Sequence, residues 1–306
     1  MSAIEQPVLR RKLPVWATVR RSYTFLWDYR GIVLLPVLLL ILATLILRGA
    51  SIFLAFGELS PAAAVTFTDS ASYYGRLGLG MLPNLLATAL TITLMIGIHR
   101  LVLLGELRRN LGFFRFDRRF GRYLLTIVLM FVIVILSCIA AGLLIAVIGV
   151  AAGLAGAAGE AASRSTMTGL VGLVMALFLL FVTVRLQLAL PAAALDREDT
   201  IGAAWRATRG NVLRMAAILV LTMIPLVVVV ALVAPLLGMQ MEEARQAAER
   251  GTYMILPPQW SAMVAGAVIG TVQMAIFATM LSLCYDVLAR GGGPATEPEF
   301  EPSVIP

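Results

Sequence analysis

The sequence predicts an all-α fold, a polytopic membrane helical bundle of about six transmembrane helices with short amphipathic helices on its inner face. Three observations predict it. The chain of 306 residues is 60% hydrophobic and 13% charged, with a mean hydropathy of +0.93, whereas soluble domains are about 45–50% apolar and about 25% charged. Its apolar residues gather into runs long enough for a hydrocarbon layer of roughly 30 Å. Its basic residues gather between alternate runs. A water-facing fold could not hide so much apolar surface, which excludes the ordinary soluble globular classes.

The runs are Gly31 to Leu47, Leu77 to Ile98, Leu124 to Val150, Gly169 to Leu190, Met215 to Met241 and Ser261 to Tyr285. One such run alone would also suit a buried core helix; six in series read as spans. The first follows positive charge, as a signal peptide does. A long segment precedes it, however, and Ile46-Leu47-Arg48-Gly49-Ala50 lacks a small-x-small cleavage pattern, so it is expected to be retained.

Orientation follows from basic residues, which resist translocation in short loops. All but Arg48, Arg76, Arg164, Arg245 and Arg250 of the 24 basic residues fall on the side shared by the N-terminus, the second and fourth connections and the C-terminus. Both termini are therefore expected in the cytoplasm, and the expected location is a bacterial inner (cytoplasmic) membrane. Residues 1–30 read as a cytoplasmic segment with an amphipathic helix, 31–290 as a six-span membrane domain, and 291–306 as a disordered tail rich in Gly, Pro and Glu.

Three segments of the inner face carry the most local chemistry. Pro14 to Asp28 reads as an amphipathic helix, with Trp16, Val19, Tyr23, Leu26 and Trp27 opposite Arg20, Arg21, Thr24 and Asp28. Phe113 to Phe120 interleaves aromatic rings with Arg115, Arg118 and Arg119, a composition suited to an anionic leaflet and read as no nucleic-acid site. In Asp196 to Asn211, Asp199 or Thr200 suits an N-cap, Gly210 a left-handed C-terminal turn and Asn211 the cap of the next helix. That short helix would turn Ile201, Ala204, Trp205 and Thr208 toward protein or lipid, with Arg206 and Arg209 available to phosphate or carboxylate. Arg30-Gly31-Ile32-Val33-Leu34 and Arg209-Gly210-Asn211-Val212-Leu213 share Arg-Gly-x-Val-Leu, which raises an internal threefold repeat of helical hairpins.

The stretch from Arg185 to Pro191, followed by an acidic and basic turn and then Ala204-Trp205-Arg206-Ala207-Thr208-Arg209-Gly210-Asn211, resembles a family of bacterial six-helix inner-membrane proteins. That family is similar to the membrane domain ahead of some glycerophosphodiester phosphodiesterases. The resemblance implies the location and topology. It carries over no catalytic activity, because the chain ends soon after the last span.

Polar groups inside spans are costly and mark pairings or pathways. Arg185 and Asp286, both near the inner boundary, are expected to approach each other or to share a polar vestibule. Gln187 and Gln273 are expected to make interhelical hydrogen bonds rather than to line a passage, and Gly266 to Gly270 offers small residues for close helix packing. Cys138 and Cys284 read as small core residues, not a disulfide. His99 is the single histidine, so a His-based metal cluster or Ser-His-Asp triad lacks material. No catalytic residue, metal ligand or cofactor is therefore expected. On the outer side, Tyr73, Tyr74, Tyr253 and Trp260 suit an aromatic belt, Glu242 to Arg250 a short helix, and Gly153 to Gly159 a loop or frayed helix end.

These features favour a non-enzymatic integral membrane protein that organises or senses lipids or protein partners through its basic inner face. The residues proposed for those contacts are Arg20, Arg21, Arg115, Arg118, Arg119, Trp205, Arg206 and Arg209. The partners are the bilayer, anionic lipids on the cytoplasmic side and an unidentified membrane protein. A transporter or channel would need a continuous polar cavity. A lipid-modifying enzyme would use Asp196, Glu198 and Asp199 with Arg197, although those acids also suit a helix start.

Overall fold

Without water to bind its N–H and C=O groups, a backbone in hydrocarbon must satisfy them internally, and a helix does so within one segment. The computed structural model describes residues 12–57, 65–67, 70–106, 110–154, 161–249, 253–255 and 260–290. In chain order they form α1 (Val15–Asp28), α2 (Arg30–Phe56), α3 (Ser70–Leu104), α4 (Arg118–Leu154), α5 (Ala161–Leu186), α6 (Ala189–Ala194), α7 (Thr200–Ala207), α8 (Val212–Glu249) and α9 (Trp260–Tyr285). A 3-10 turn spans Asn110–Phe113 and a π-helical turn spans Asp286–Arg290. Two three-residue strands, β1 (Val65–Phe67) and β2 (Tyr253–Ile255), pair antiparallel with Thr66 opposite Met254.

Six of these helices are long and apolar enough to cross a membrane: α2, α3, α4, α5 with α6, α8, and α9 with its π-helical turn. The architecture is the all-α, polytopic one that the sequence predicts. Its surface agrees: Leu42, Leu85, Phe131, Leu143, Leu177, Val227 and Leu232 are all exposed, and of α4 between 118 and 144 only Tyr123 and Thr126 are buried. Such a surface is stable against lipid, not water.

Several boundaries differ from expectation. The predicted short helix from Glu242 to Arg250 is the end of α8, which runs unbroken to Glu249 because no Gly or Pro interrupts its last two turns. The fourth run is not one helix: it breaks at Gln187–Leu188 between α5 and α6. Pro191 accounts for the break, since its ring would clash with the Gln187 carbonyl four residues back and it has no N–H to donate. The expected loop from Gly153 falls partly in α4, and residues 155–159 lie outside the described residues, as does the tail 291–306.

The chain divides into two compact units. The first holds the described residues up to Thr18, Gly121–Leu219 and Leu281–Arg290; the second holds Val19–Phe120 and Val220–Met280. Within the second, α2 and α3 make the most extensive helix pair. Gly80 explains their closeness: a Cβ there would lie 3.1 Å from the Ser51 carbonyl oxygen. Beside Pro83, which lacks an N–H, the Ser51 hydroxyl and the Asn84 side-chain amide both donate to the Gly80 carbonyl. The Ser51 bond ties α2 to α3 at this point; the carbonyl that Pro83 leaves without its helical donor is that of Leu79, four residues back. His99 of α3, fully buried, is hydrogen-bonded to the backbone of Ala278 in α9.

The 3-10 turn closes against α3 in the same unit. Phe113 is 1% exposed, and its ring lies where a Cβ at Gly97 would stand. Gly97→Ala is expected to cost about 1–3 kcal/mol by overpacking, read as a lower melting temperature of the detergent-solubilised protein. Combining it with Phe113→Leu should recover part of the loss.

Candidate functional site

In the first unit, α5 delivers Arg185 to the C-terminal end of α7. The side chain is 9% exposed, its Nε donates to Thr208 Oγ1 at 3.2 Å and its Nη2 donates to the Trp205 carbonyl at 3.0 Å. The guanidinium lies 4.0 Å from the centre of the Trp205 ring and 5.3 Å from that of Phe181, and the two rings meet edge to face. Among the described residues no carboxylate pairs with it. The counter-charge comes instead from two helix C-termini, its own α5 and the facing α7, each carrying a fraction of up to about half an electronic charge. Cation–π contact with the rings adds roughly 0.5–2 kcal/mol.

Around this clamp the connection is pinned on both sides. Arg122 Nη1 donates to the Asp196 carbonyl at 3.3 Å and lies 3.7 Å from its carboxylate, which holds Asp196 at φ 61, a conformation that Asp tolerates better than most residues. Asp199 precedes α7 and pairs with Arg206. Its carboxylate also faces the N–H groups of Gly202 and Ala203; that attraction is electrostatic, since no strict side-chain capping bond closes. Gly202 has no Cβ, and one there would strike the Asp199 carboxylate. The hydrogen bond from Arg206 first, and these amides after it, hold the Asp199 carboxyl below the usual aspartate range.

Asn211 stands at the N-cap position of α8 but does another task. Its Oδ1 accepts the Leu13 N–H at 3.1 Å, and Arg214 Nη1 donates to the Leu13 carbonyl at 3.1 Å. Leu13 is fully buried. Both polar groups of one peptide segment are thus held by side chains two hundred positions away, which no local pattern announces. Gly210 does take the expected left-handed conformation, at φ 83.

Other predicted residues fall into place or move. Arg185 and Asp286 form no ion pair with each other: Asp286 is 3.5 Å from Arg290 within the π-helical turn, and Arg185 donates to Thr208 and the Trp205 carbonyl. Gln187 sits half-buried at the α5–α6 break, inside the span that the two helices form together. In the second unit Gln273 donates to Met223 Sδ at 3.2 Å, joining α9 to α8. Cys138 and Cys284 are free thiols.

The first helix is patterned differently from its predicted stripe. Thr18, Val19, Ser22 and Phe25 are buried, while Trp16 and Trp27 are 72% and 69% exposed. At 100° per residue, Arg20 shares that exposed face with both tryptophans instead of opposing them. Arg21 is half-buried. Tyr23 donates its hydroxyl to the Thr222 carbonyl at 3.0 Å, and burial raises its pKa.

Further along the second unit, Arg115, Phe116 and Arg118 are exposed and Phe116 meets Phe120 edge to face. Asp117 accepts the Arg119 and Phe120 N–H groups at 3.0 and 3.3 Å, so it caps α4. An Asp immediately before a basic-apolar helix was the readable signal for this cap. Arg119 lies 3.9 Å from the same carboxylate.

No family model, characterised protein or solved structure matches this chain.

The arginines expected to make lipid or partner contacts divide by what they already hold. Arg206 and Arg119 have carboxylate neighbours. Arg20, Arg21, Arg115, Arg118 and Arg209 have no ion-pair partner among the described residues. One face of the Trp205 ring is taken by Arg185, although the residue remains 39% exposed.

The lowered carboxyl of Asp199 sets a pH response. Its pairing stabilises the start of α7 above the unfolded aspartate range and is lost as pH falls through the depressed value. Hydrogen-exchange protection of the α7 amides is expected to fall in acid, with Asp199→Asn showing the acid behaviour already at neutral pH.

Proposed function

We propose that this protein is a non-enzymatic component of a bacterial inner membrane, with both termini cytoplasmic, that gathers anionic lipid or an acidic membrane partner through its basic face. One observation carries the reading: exposed arginines without carboxylate partners among the described residues share their segments with exposed large apolar side chains. Arg20 lies with Trp16 and Trp27, Arg115 and Arg118 with Phe116, and Arg209 with Leu213, which is 86% exposed. A cation beside a ring or an aliphatic side chain fits the headgroup layer, where phosphate and acyl chain meet. Near an anionic leaflet each such cation is worth about 1 kcal/mol, screened beyond a Debye length.

The N-terminal orientation of this proposal rests on the distribution of basic residues, and the bacterial location on the resemblance of the 185–211 stretch. The local chemistry of that stretch supports a structural use: Arg185 and Asp199 are committed to holding α7, not to a reaction.

The test uses the full chain in vesicles of equal parts phosphatidylcholine and phosphatidylglycerol. Extraction with its nearest lipids should recover more phosphatidylglycerol than the bulk contains, and Arg115→Ala, Arg118→Ala and Arg209→Ala together should abolish the enrichment without changing the melting temperature. High salt should weaken it. Unchanged enrichment in the triple variant, or selective solute flux through the wild-type vesicles, would sink this reading.

A further inference from the structure

In the second unit, α2, α3 and α9 enclose a groove of about 300 Å³. Its polar lining is Thr44 and Arg48 from α2, Asn84, Thr88 and Thr91 from α3, and Thr271 from α9, with no acidic residue among the lining groups. Arg48 follows Arg30 by five helical turns, about 27 Å along α2, which puts it near the far boundary of the hydrocarbon from α1. That is the side where the sequence places fewest cations.

Arg48 is under-used. Among the described residues its one hydrogen bond is from Nη1 to the Met263 carbonyl at 3.4 Å, and no carboxylate pairs with it. Gly266 makes room for it, since a Cβ there would come 3.5 Å from Nη1. Gly266 and Gly270, expected to pack closely against a neighbouring helix, instead form the groove wall: both are exposed, and a Cβ at Gly270 would meet nothing within 4 Å.

The other groups present acceptors. Asn84 Nδ2 is spent on Ser51 Oγ and the Gly80 carbonyl, which leaves Oδ1. Thr88 and Thr91 give their protons to the carbonyls of Asn84 and Ala87, which leaves oxygen lone pairs. The groove thus offers a fork of guanidinium donors beside a row of acceptors. Asn84 and Thr88 are exposed, so the groove is open sideways, and polar groups bare to acyl chains are unfavourable unless something polar covers them.

We propose that this groove admits the headgroup of a phosphate-bearing, hydroxyl-rich lipid from the side. Arg48 binds the phosphate, Asn84, Thr88 and Thr91 accept from headgroup hydroxyls, and the acyl chains stay in the surrounding hydrocarbon. A guanidinium fork matches phosphate oxygens, and the acceptor row selects a polyol over a quaternary ammonium, which has no hydroxyl or N–H to give. The site uses none of the exposed arginines invoked above and stands or falls separately from them.

Direct binding to the full chain in an uncharged detergent tests it, with dihexanoyl phosphatidylglycerol as the probe and dihexanoyl phosphatidylcholine and inorganic phosphate as the other arms. Phosphatidylglycerol should bind saturably, and Arg48→Gln should weaken it about tenfold or more through loss of charge-assisted bonds. Gly270→Leu fills the groove without touching the charge and should weaken it as much; it remains decisive if Arg48→Gln fails to fold. The Arg115, Arg118 and Arg209 triple alanine variant should bind as the wild type does. Binding that survives Gly270→Leu overturns the proposal, as does equal affinity for phosphatidylcholine. Inorganic phosphate binding as tightly as the lipid would also overturn it, by making the ligand a soluble anion.

Discussion

The organisation of the first unit depends on one cation held without a carboxylate. Arg185 ends α5 and meets the C-terminal end of α7, where a carbonyl, a threonine hydroxyl and two aromatic rings surround it. A buried ion pair would have required a second charge to leave water, which is costly even when paired. Helix ends and ring faces supply partial negative charge with no such second charge. The arrangement fixes α7 against α5, and Arg122, Asp196 and Asn211 then set how the chain enters and leaves it.

The second unit meets the same constraint with neutral groups. Ser51 and Asn84 both donate to the Gly80 carbonyl, threonines return their protons to their own helices, and Gln273 reaches a methionine sulfur. Hydrogen bonds between membrane helices are individually modest, averaging about 0.6 kcal/mol in measured cases, so their value here lies in satisfaction and register. Close approach comes from Gly80 and Gly97 rather than from Gly266 and Gly270. Small residues alone do not say which face packs and which stays open.

Much of the fold was legible because hydropathy is a property of each segment by itself. Six apolar runs gave the helices, Pro14 gave the start of α1, and the acidic and glycine residues around Thr200 to Gly210 gave a short bounded helix. The misses share a cause. Leu13 with Asn211 and Arg214, Gln273 with Met223, and Phe113 with Gly97 are pairings between distant positions, which no periodicity encodes. That Asp286 lies beside Arg290 in the same turn was not readable either, because two charges near one boundary do not reveal their angular positions. Pro191 could have announced the break at Gln187, had its effect four residues back been weighed against the run of apolar residues.

The most direct test of the Arg185 clamp is the solvent accessibility of Trp205, measured by acrylamide quenching in a protein whose Trp16, Trp27 and Trp260 are replaced by Phe. Arg185→Met keeps most of the side-chain volume and removes the donors and the cation. The account predicts that quenching of Trp205 rises markedly in that variant while the melting temperature stays within a few degrees, showing α7 released from an otherwise folded protein. Unchanged quenching with Arg185→Met would show that α7 is held by other contacts and would contradict it.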